Sequence, residues 1–404
     1  MQYDVLIVGG GMVGASLACA LGDGPLRVGL IESHPAEQQW DEAEFDIRVS
    51  AITRASEQVF RAVGAWAGMR AKRVRPYQAM QVWDGTGSGS IHFDAADIGE
   101  PNLGHIIENR VILAALLERM ADFSNLDRYC PAQITAIHRE ESRVTVSLAD
   151  GQQLQARLVV GADGSGSLVR REAGIETIGW SYDQHAVVAT IRTERSHQDC
   201  CWQRFMPDGP LAFLPLPGGF SSIVWSTTPE RAAELLAMPE ADFLSALQQA
   251  FGDRLGAMLA TGPRAAFPLM LRHAKRYTDP RLVLVGNAAH AIHPLAGQGL
   301  NLGVSDVAAL AEVLLAAQAK GEDIGELAVL RRYERWRKGD NLAVMAAMDG
   351  FKRLFGNQHL LLQPLRNLGL RLADQAAPLK SRMIRRAMGL EGDLPQLCRG
   401  FPLC

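Results

Sequence analysis

"VLIVGGGMVGASLACALG", Val5 to Gly22, runs eighteen residues without a charge. That length stands at the lower limit for a helix crossing a bilayer, but its internal order argues for something else. Asp4 to Val8 is a short apolar run with β-branched residues, the pattern of a strand buried on both faces. Three glycines break the run, and an alanine-rich segment from about Ala15 to Leu21 then has helical composition. "RVGLIE", Arg27 to Glu32, adds a second short apolar run. The stretch therefore reads as strand, tight turn, helix and strand, a βαβ unit starting at residue 4.

The turn carries Gly9, Gly11 and Gly14 in a G-x-G-x-x-G spacing. In such a turn the first glycine permits the sharp reversal, the second lets the backbone approach a pyrophosphate, and the third allows close helix–strand contact. The helix start then offers free N–H groups and a positive dipole end to the phosphates. Glu32 ends the second strand 18 residues past Gly14, placed to accept a hydrogen bond from a ribose hydroxyl. Strand, turn, helix and acid together predict an adenine-dinucleotide site. They leave open whether it takes NAD or FAD.

Two later stretches bear on that choice. "LVVGADGSGSLVRREAG", Leu158 to Gly174, is a strand running into Asp163-Gly164 and then a short helix with Arg170. "RLVLVG" followed by "NAAHAIHPLAGQGLN", Arg281 to Asn301, is a strand that gives way to small residues and then a helix. A glycine-rich strand-to-helix turn presents backbone N–H groups to an anion or a polarised carbonyl. His290 and His293 stand three residues apart in it, with no third ligand at metal spacing. His290 reads as a core histidine donating to a backbone carbonyl. His293, beside Pro294, is the better placed to face a substrate.

The 404 residues allow two domains or one interleaved unit, and 48% hydrophobic with 21% charged residues is ordinary for a chain with a sizeable core. A net charge of −3 gives no case for nucleic-acid binding. Charge is uneven, however: Phe351 to Leu390 holds eight basic residues and one acid, Asp374, so the remainder carries about −10. Such asymmetry points to an anionic surface, lipid or protein, as partner. A solvated helix packed on the main body is the competing reading. The six cysteines include the adjacent pair Cys200 and Cys201 and form no CxxC or zinc spacing, as in a reduced, cytoplasmic protein. "MQYD" has no basic n-region of a signal peptide.

Elsewhere the pattern alternates. Met80 to Asp94 reads as two strands about a glycine-rich turn, His105 to Ala121 as an amphipathic helix, and Arg143 to Gly164 as strands about an Asp-Gly turn followed by "ARLVVGAD". His185 to about Phe267 reads as mostly extended with a helical insert at Pro229 to Phe251, and the chain after Asn301 as almost wholly helical.

The G-x-G-x-x-G with its distal Glu, the A-D-G turn and the G-N-A-A-H…P…G-Q-G-L-N segment, in this order, resemble the FAD-dependent aromatic hydroxylases of the p-hydroxybenzoate hydroxylase fold. Within these the chain is most similar to the ubiquinone-biosynthesis hydroxylases. Supporting stretches are "FDIRVSAIT" (45–53), "GHIIENRVI" (104–112), "HAVVATIRTE" (185–194) and "LRRYERWRKGDN" (330–341). The resemblance implies a mixed α/β fold: a Rossmann-like FAD-binding domain (1–75, 101–180, 271–345) interleaved with an antiparallel β-sheet substrate domain (76–100, 181–270), then a helical region (346–404). It implies FAD held by Gly9, Gly11, Gly14 and Glu32, with Arg48 and Arg110 facing the flavin side and Asp163 and Gly164 near the pyrophosphate. Gly286 and Asn287 would meet the ribityl chain. Pro294, Gly297, Gln298, Gly299, Leu300 and Asn301 would line the flavin ring. Asn287 stands where the family's commoner residue is Asp; its side-chain oxygen still accepts a hydrogen bond but gives up the charge. His293 and Pro294 are the catalytic candidates, and Phe205, Phe213, Leu214, Pro215 and Trp225 the substrate-pocket candidates, with plain sheet core as the alternative.

The reaction so implied is hydroxylation of a prenylated phenol or quinol through a flavin hydroperoxide, with molecular oxygen as co-substrate. NAD(P)H or a protein electron donor would be the reductant, since there is no second G-x-G-x-x-G. The setting would be cytoplasmic and peripheral to the inner membrane or to a ubiquinone-biosynthesis complex through residues 351–390. A homo-oligomer is compatible with this reading; metal ions and nucleic acid are not called for by any motif. Rival readings are a hydroxylase of a soluble aromatic, a prenyl reductase of the same fold, and a catalytically silent flavin-fold subunit.

Overall fold

A computed structural model describes residues 2–37, 39–41, 43–292, 298–356, 367, 369 and 373–403. The opening stretch resolves into strand Tyr3–Val8, helix Met12–Leu21 and strand Val28–Ile31. The helix starts at Met12 rather than near Ala15, because the last glycine of the turn already lies inside it. Tyr3–Val8 pairs in parallel with Val28–Ile31 on one side and with Gln153–Gly161 on the other. Leu126–Tyr129 and Leu282–Leu284 extend the parallel sheet outward. Val5, Leu6 and Ile7 are wholly buried, which is why the strand has no polar alternation: helices or sheet cover both its faces.

Gln153–Gly161 is one continuous strand where the sequence suggested two. Its first half pairs antiparallel with Val144–Leu148 across the turn at Gly151 (φ +89°), and its second half pairs parallel with Tyr3–Val8. The helix expected over 105–121 is also corrected. Gly104–Glu108 is a buried strand between Val49–Thr53 and Val74–Tyr77, and the helix is Asn109–Met120. Periodicity alone does not separate a short buried strand from a buried helical turn.

The second large sheet is built around two 17-residue strands, Thr177–Thr193 and Met258–Ala274, with Phe220–Thr227, Gly209–Pro215, Cys200–Met206, Ala79–Asp84 and Ser90–Asp94 following in spatial order. Helices Pro229–Ala237 and Glu240–Phe251 cover one face, where Val187, Ile223, Phe243, Leu247 and Phe251 share a core. The other face carries Ala186, Leu269 and Leu271, which pack with Met345 of the helix Leu327–Gly356 and with Ile292.

The helix Gln298–Ala319 crosses beneath the parallel sheet with most of its surface buried. Its Gly303 is a close approach: a Cβ there would stand 2.8 Å from Val13 Cγ2 and 3.3 Å from Gly286 Cα. Helix and turn are therefore held against the first βαβ unit at a spacing only glycine allows.

Candidate active site

Three turns converge at the carboxyl ends of Tyr3–Val8, Gln153–Gly161 and Leu282–Leu284. That end of an open parallel sheet is where ligands bind. The first turn is pinned by contact. Gly9 adopts φ +103°, and a Cβ on it would meet the Ala162 carbonyl oxygen at 2.5 Å. A Cβ on Gly14 would stand 1.9 Å from the Gly9 carbonyl oxygen. Gly11, the N-cap of helix Met12–Leu21, has nothing within 4 Å of such a Cβ, and no side chain caps that helix. Its first turn carries no acid either, so the orphan N–H groups and positive dipole end face open space.

Beside it lies a cavity of about 260 Å³ lined by Gly10, Gly11, Glu32, His34, Leu113 and Arg128, among others. That is below the ~300–1,000 Å³ of a pocket for a whole ligand, so it suits one end of a dinucleotide. Glu32 is oriented within it: Oε2 accepts from Gly10 N at 2.6 Å and Oε1 from His34 N at 2.9 Å. A carboxylate has about four lone-pair sites, which leaves Glu32 able to accept from a sugar hydroxyl.

The second turn sits against the first. Asp163 Oδ2 accepts from Leu168 N at 2.6 Å and Val169 N at 3.1 Å, while its buried Oδ1 has no hydrogen-bond partner. Gly164 adopts φ +77° with open space at its Cα. The buried guanidinium of Arg170 ties this turn to the third, donating to Ser165 O at 2.7 Å and Ala288 O at 2.8 Å.

In the third turn Gly286 (φ +55°) opens a short 3-10 turn, Asn287 is exposed, and Ala288 to His290 are buried. His290 begins a short strand paired with Met258–Ala274. Its Nε2 donates to Asp306 Oδ2 at 2.5 Å, a carboxylate instead of the backbone carbonyl expected. His293, Pro294 and Gly297 lie outside the described residues.

Compared with known proteins, residues 2–346 match the family model described as FAD binding domain. The chain is 42% identical to the ubiquinone hydroxylase UbiL of Rhodospirillum rubrum, over 99% of this chain and 93% of that one. It is 39% identical to the 3-demethoxyubiquinol 3-hydroxylase of Escherichia coli, over 96% and 98%. The chain belongs to the FAD-dependent monooxygenases. The crystal structure of p-nitrophenol 4-monooxygenase PnpA from Pseudomonas putida shares the fold, with a TM-score of 0.79 at 20% identity over 96% of this chain and 98% of that one.

The described residues of this monooxygenase fit FAD. The open cradle at Gly11 and the uncapped helix suit a pyrophosphate, the Glu32 cavity suits the adenosine end, and the unpartnered Asp163 Oδ1 suits a donor on the cofactor. Arg48 and Arg110 diverge. The Arg48 guanidinium lies over the Phe267 ring, 5.3 Å from its centroid, on the face of the second sheet turned toward Ile292. Arg110 is engaged instead with Glu108, at 2.9 Å, and lies over Trp40. Glu108 also holds Arg73 at 2.9 Å and accepts from Asp46 N at 2.6 Å, which shapes the segment that delivers Arg48.

Near the head of helix Gln298–Ala319, Gly299 has open space around it, Leu300 packs on the core, and Gln298 Nε2 reaches Ala387 O at 3.4 Å. The Asn301 side chain is buried and bonded to the backbone of Ala51 and Thr53.

The pocket candidates divide by the pleat. Phe213 and Trp225 point into the core beneath helices 229–251, Phe213 packing on Phe251 with centroids 4.1 Å apart. Pro215 shares their parity on the strand and is buried. For these three the correction follows from the period of two, which sends alternate residues to opposite faces. Phe205, paired with Pro210, lies on the opposite face, where it stacks on Phe355 at 4.1 Å. Leu214 also faces that way, with Phe45 and Phe220, and Val224 and Phe267 share that face.

Sequence reading missed Arg128, Leu113 and Leu117 in the adenosine-side cavity, which come from distant elements. It also missed Asp306, although an acid set in an otherwise apolar helix was a signal.

Proposed function

We propose that the chain hydroxylates the aromatic ring of a prenylated phenol or quinol in ubiquinone biosynthesis. The observation that carries the reading is the apolar wall of Leu214, Phe220, Val224 and Phe267 on the sheet face turned to the 286–292 turn, in a chain alike over nearly its whole length to hydroxylases named for ubiquinone. Bound FAD supplies the activation of molecular oxygen and the delivery of one oxygen atom to an electron-rich ring.

The protein's part is binding, orientation and exclusion of water. Gly9, Gly11 and Gly14 bring the helix N-terminus to the pyrophosphate, Glu32 holds the ribose, and Asp163 accepts from the cofactor's middle. The apolar wall orients a greasy ring and keeps water out, which strengthens every nearby dipole. Arg48, over Phe267, places a fixed positive charge at the edge of that wall. The reductant is NAD(P)H or a partner protein, docking transiently.

The enzyme meets its membrane-borne substrate as a peripheral protein of the inner membrane. Helix Ala377–Ala387 is anchored internally through Lys380–Asp97 at 3.0 Å and Arg385 to Ile98 O at 2.8 Å, while Arg382, Arg386 and Leu379 face outward. Residues 357–366, 368 and 370–372 of the basic region lie outside the described residues.

Deleting the gene and identifying the quinone precursor that accumulates tests the reading. An unchanged quinone profile would sink the pathway assignment and leave the flavin chemistry standing.

A further inference from the structure

The 286–290 turn is held by a carboxylate it does not contain. Asp306, wholly buried on helix Gln298–Ala319, accepts through Oδ2 from both ends of the turn: Gly286 N at 3.1 Å and His290 Nε2 at 2.5 Å. One oxygen atom thus fixes the distance between the turn's first and last residues, with exposed Asn287 bulging between them. Oδ1 accepts from Arg337 Nε at 3.0 Å and Asn341 Nδ2 at 3.1 Å. Arg337 in turn donates to Asn341 Oδ1 at 3.0 Å, and Asn341 Nδ2 reaches the Tyr277 hydroxyl at 3.3 Å.

Burial alone would push the Asp306 carboxyl up, but the His290 ring and the Arg337 guanidinium outweigh it and hold it at about 2. The group is therefore an anion in the core, with its partners on two separate segments, the 286–290 turn and the helix Leu327–Gly356. Nothing in the parallel sheet requires a charge there, and a satisfied buried ion pair is rarely worth more to stability than well-packed apolar residues. What the cluster does fix is the shape and height of the turn above it.

We propose that Asp306 is a positioning residue for FAD, with His290 and Arg337 as its hydrogen-bond partners: it sets the turn against which the cofactor is held without touching the cofactor itself. This rests on placing the 286–290 turn beside the flavin. It also accounts for Asn at 287. The charge that orders the turn comes from beneath, so the exposed position needs only an acceptor.

The test is titration of FAD-free protein with FAD, followed by flavin fluorescence, for wild type, Asp306→Asn, His290→Gln and a control, Phe243→Leu, in the distant core under helices 229–251. Asp306→Asn is expected to raise Kd at least tenfold and His290→Gln at least threefold, with FAD-free melting temperatures no lower than the control's. The control stays within twofold of wild type. Adding Asn287→Asp to Asp306→Asn does not restore affinity, because the charge returns on the wrong side of the turn. The proposal is overturned by a Kd within twofold of wild type in Asp306→Asn, by an equal loss in the control, or by rescue through Asn287→Asp. Should Asp306→Asn not fold, an unchanged Kd in His290→Gln overturns it. Wild-type protein that took up no FAD would instead overturn the cofactor reading, and this one with it.

Discussion

Asn301 brackets the strand Val49–Thr53: its Oδ1 accepts from Thr53 N at 3.0 Å and its Nδ2 donates to Ala51 O at 2.8 Å, all within the buried interior. The head of the long helix and the three-stranded sheet are thereby locked in register. Asn301→Ala leaves a buried donor and a buried acceptor unmade, at about 1–3 kcal/mol each. We expect a loss of roughly 2–4 kcal/mol in urea denaturation. A change below about 0.5 kcal/mol would show that these hydrogen bonds contribute little net stability.

Gly14 and Gly11 differ in what they exclude. Gly14→Ala drives a methyl to 1.9 Å from the Gly9 carbonyl oxygen and should yield protein that folds poorly or not at all. Gly11→Ala meets nothing in the protein, and its backbone conformation suits alanine. We expect unchanged melting of the FAD-free protein and at least a tenfold loss of FAD affinity. Equal FAD binding in Gly11→Ala and wild type would move the pyrophosphate away from this turn.

Asn287→Asp should keep both FAD and hydroxylase activity, since residue 287 is exposed and either side chain accepts a hydrogen bond. Flavin content and Kd are the readouts. Loss of FAD in this variant would mean that the turn does not lie along the ribityl chain.

Phe213 and Leu214 are neighbours with opposite duties. Phe213→Ala should cost about 3–5 kcal/mol as a core truncation and leave the KM for the aromatic substrate unchanged. Leu214→Ala, on the wall side, should cost less stability and raise KM. The reverse pattern would exchange the two faces of the sheet.

Acid should act in two windows. Burial and the charges of His290 and Lys338 hold the His273 ring down at about 4, against an ordinary value near 6.5. The unfolded chain therefore takes up that proton first, and stability is full above pH 6.5 and falls between 6.5 and 4. Glu57, whose buried carboxyl is held at about 2 by His105, Arg61 and Arg54 despite desolvation, contributes stability that is full above about 4.5 and lost toward 2. Asp306 adds a loss from about 4 downward. His273→Asn should flatten the upper window alone in denaturation curves taken across pH.

The βαβ unit, the three cofactor turns and the helical insert at 229–251 were legible because each is local: strand, glycine spacing and acid lie within a few dozen residues. The adenosine-side cavity was only half legible. Glu32 belongs to the motif, but Arg128 and Leu113 arrive from separate elements with no spacing rule to announce them. The pleat was the harder loss. Phe213 and Leu214 read alike in sequence, and only the register with Phe220–Thr227 and the position of Phe243 decide which one faces the cofactor side. Asp306 was hidden for a different reason, since it acts on a turn twenty residues upstream and on Arg337 thirty-one residues downstream.

The strand Tyr3–Val8 gains one neighbour at residues 28–31, the other only at 153–161, and the sheet's next strand only at 282–284. At about 5–20 residues per second on the ribosome, the first strand waits some tens of seconds for its sheet to close. Until residues 153–161 emerge, the nascent chain carries one unpaired edge of the mostly apolar strand Tyr3–Val8, and until 282–284 follow it has no complete site for its cofactor.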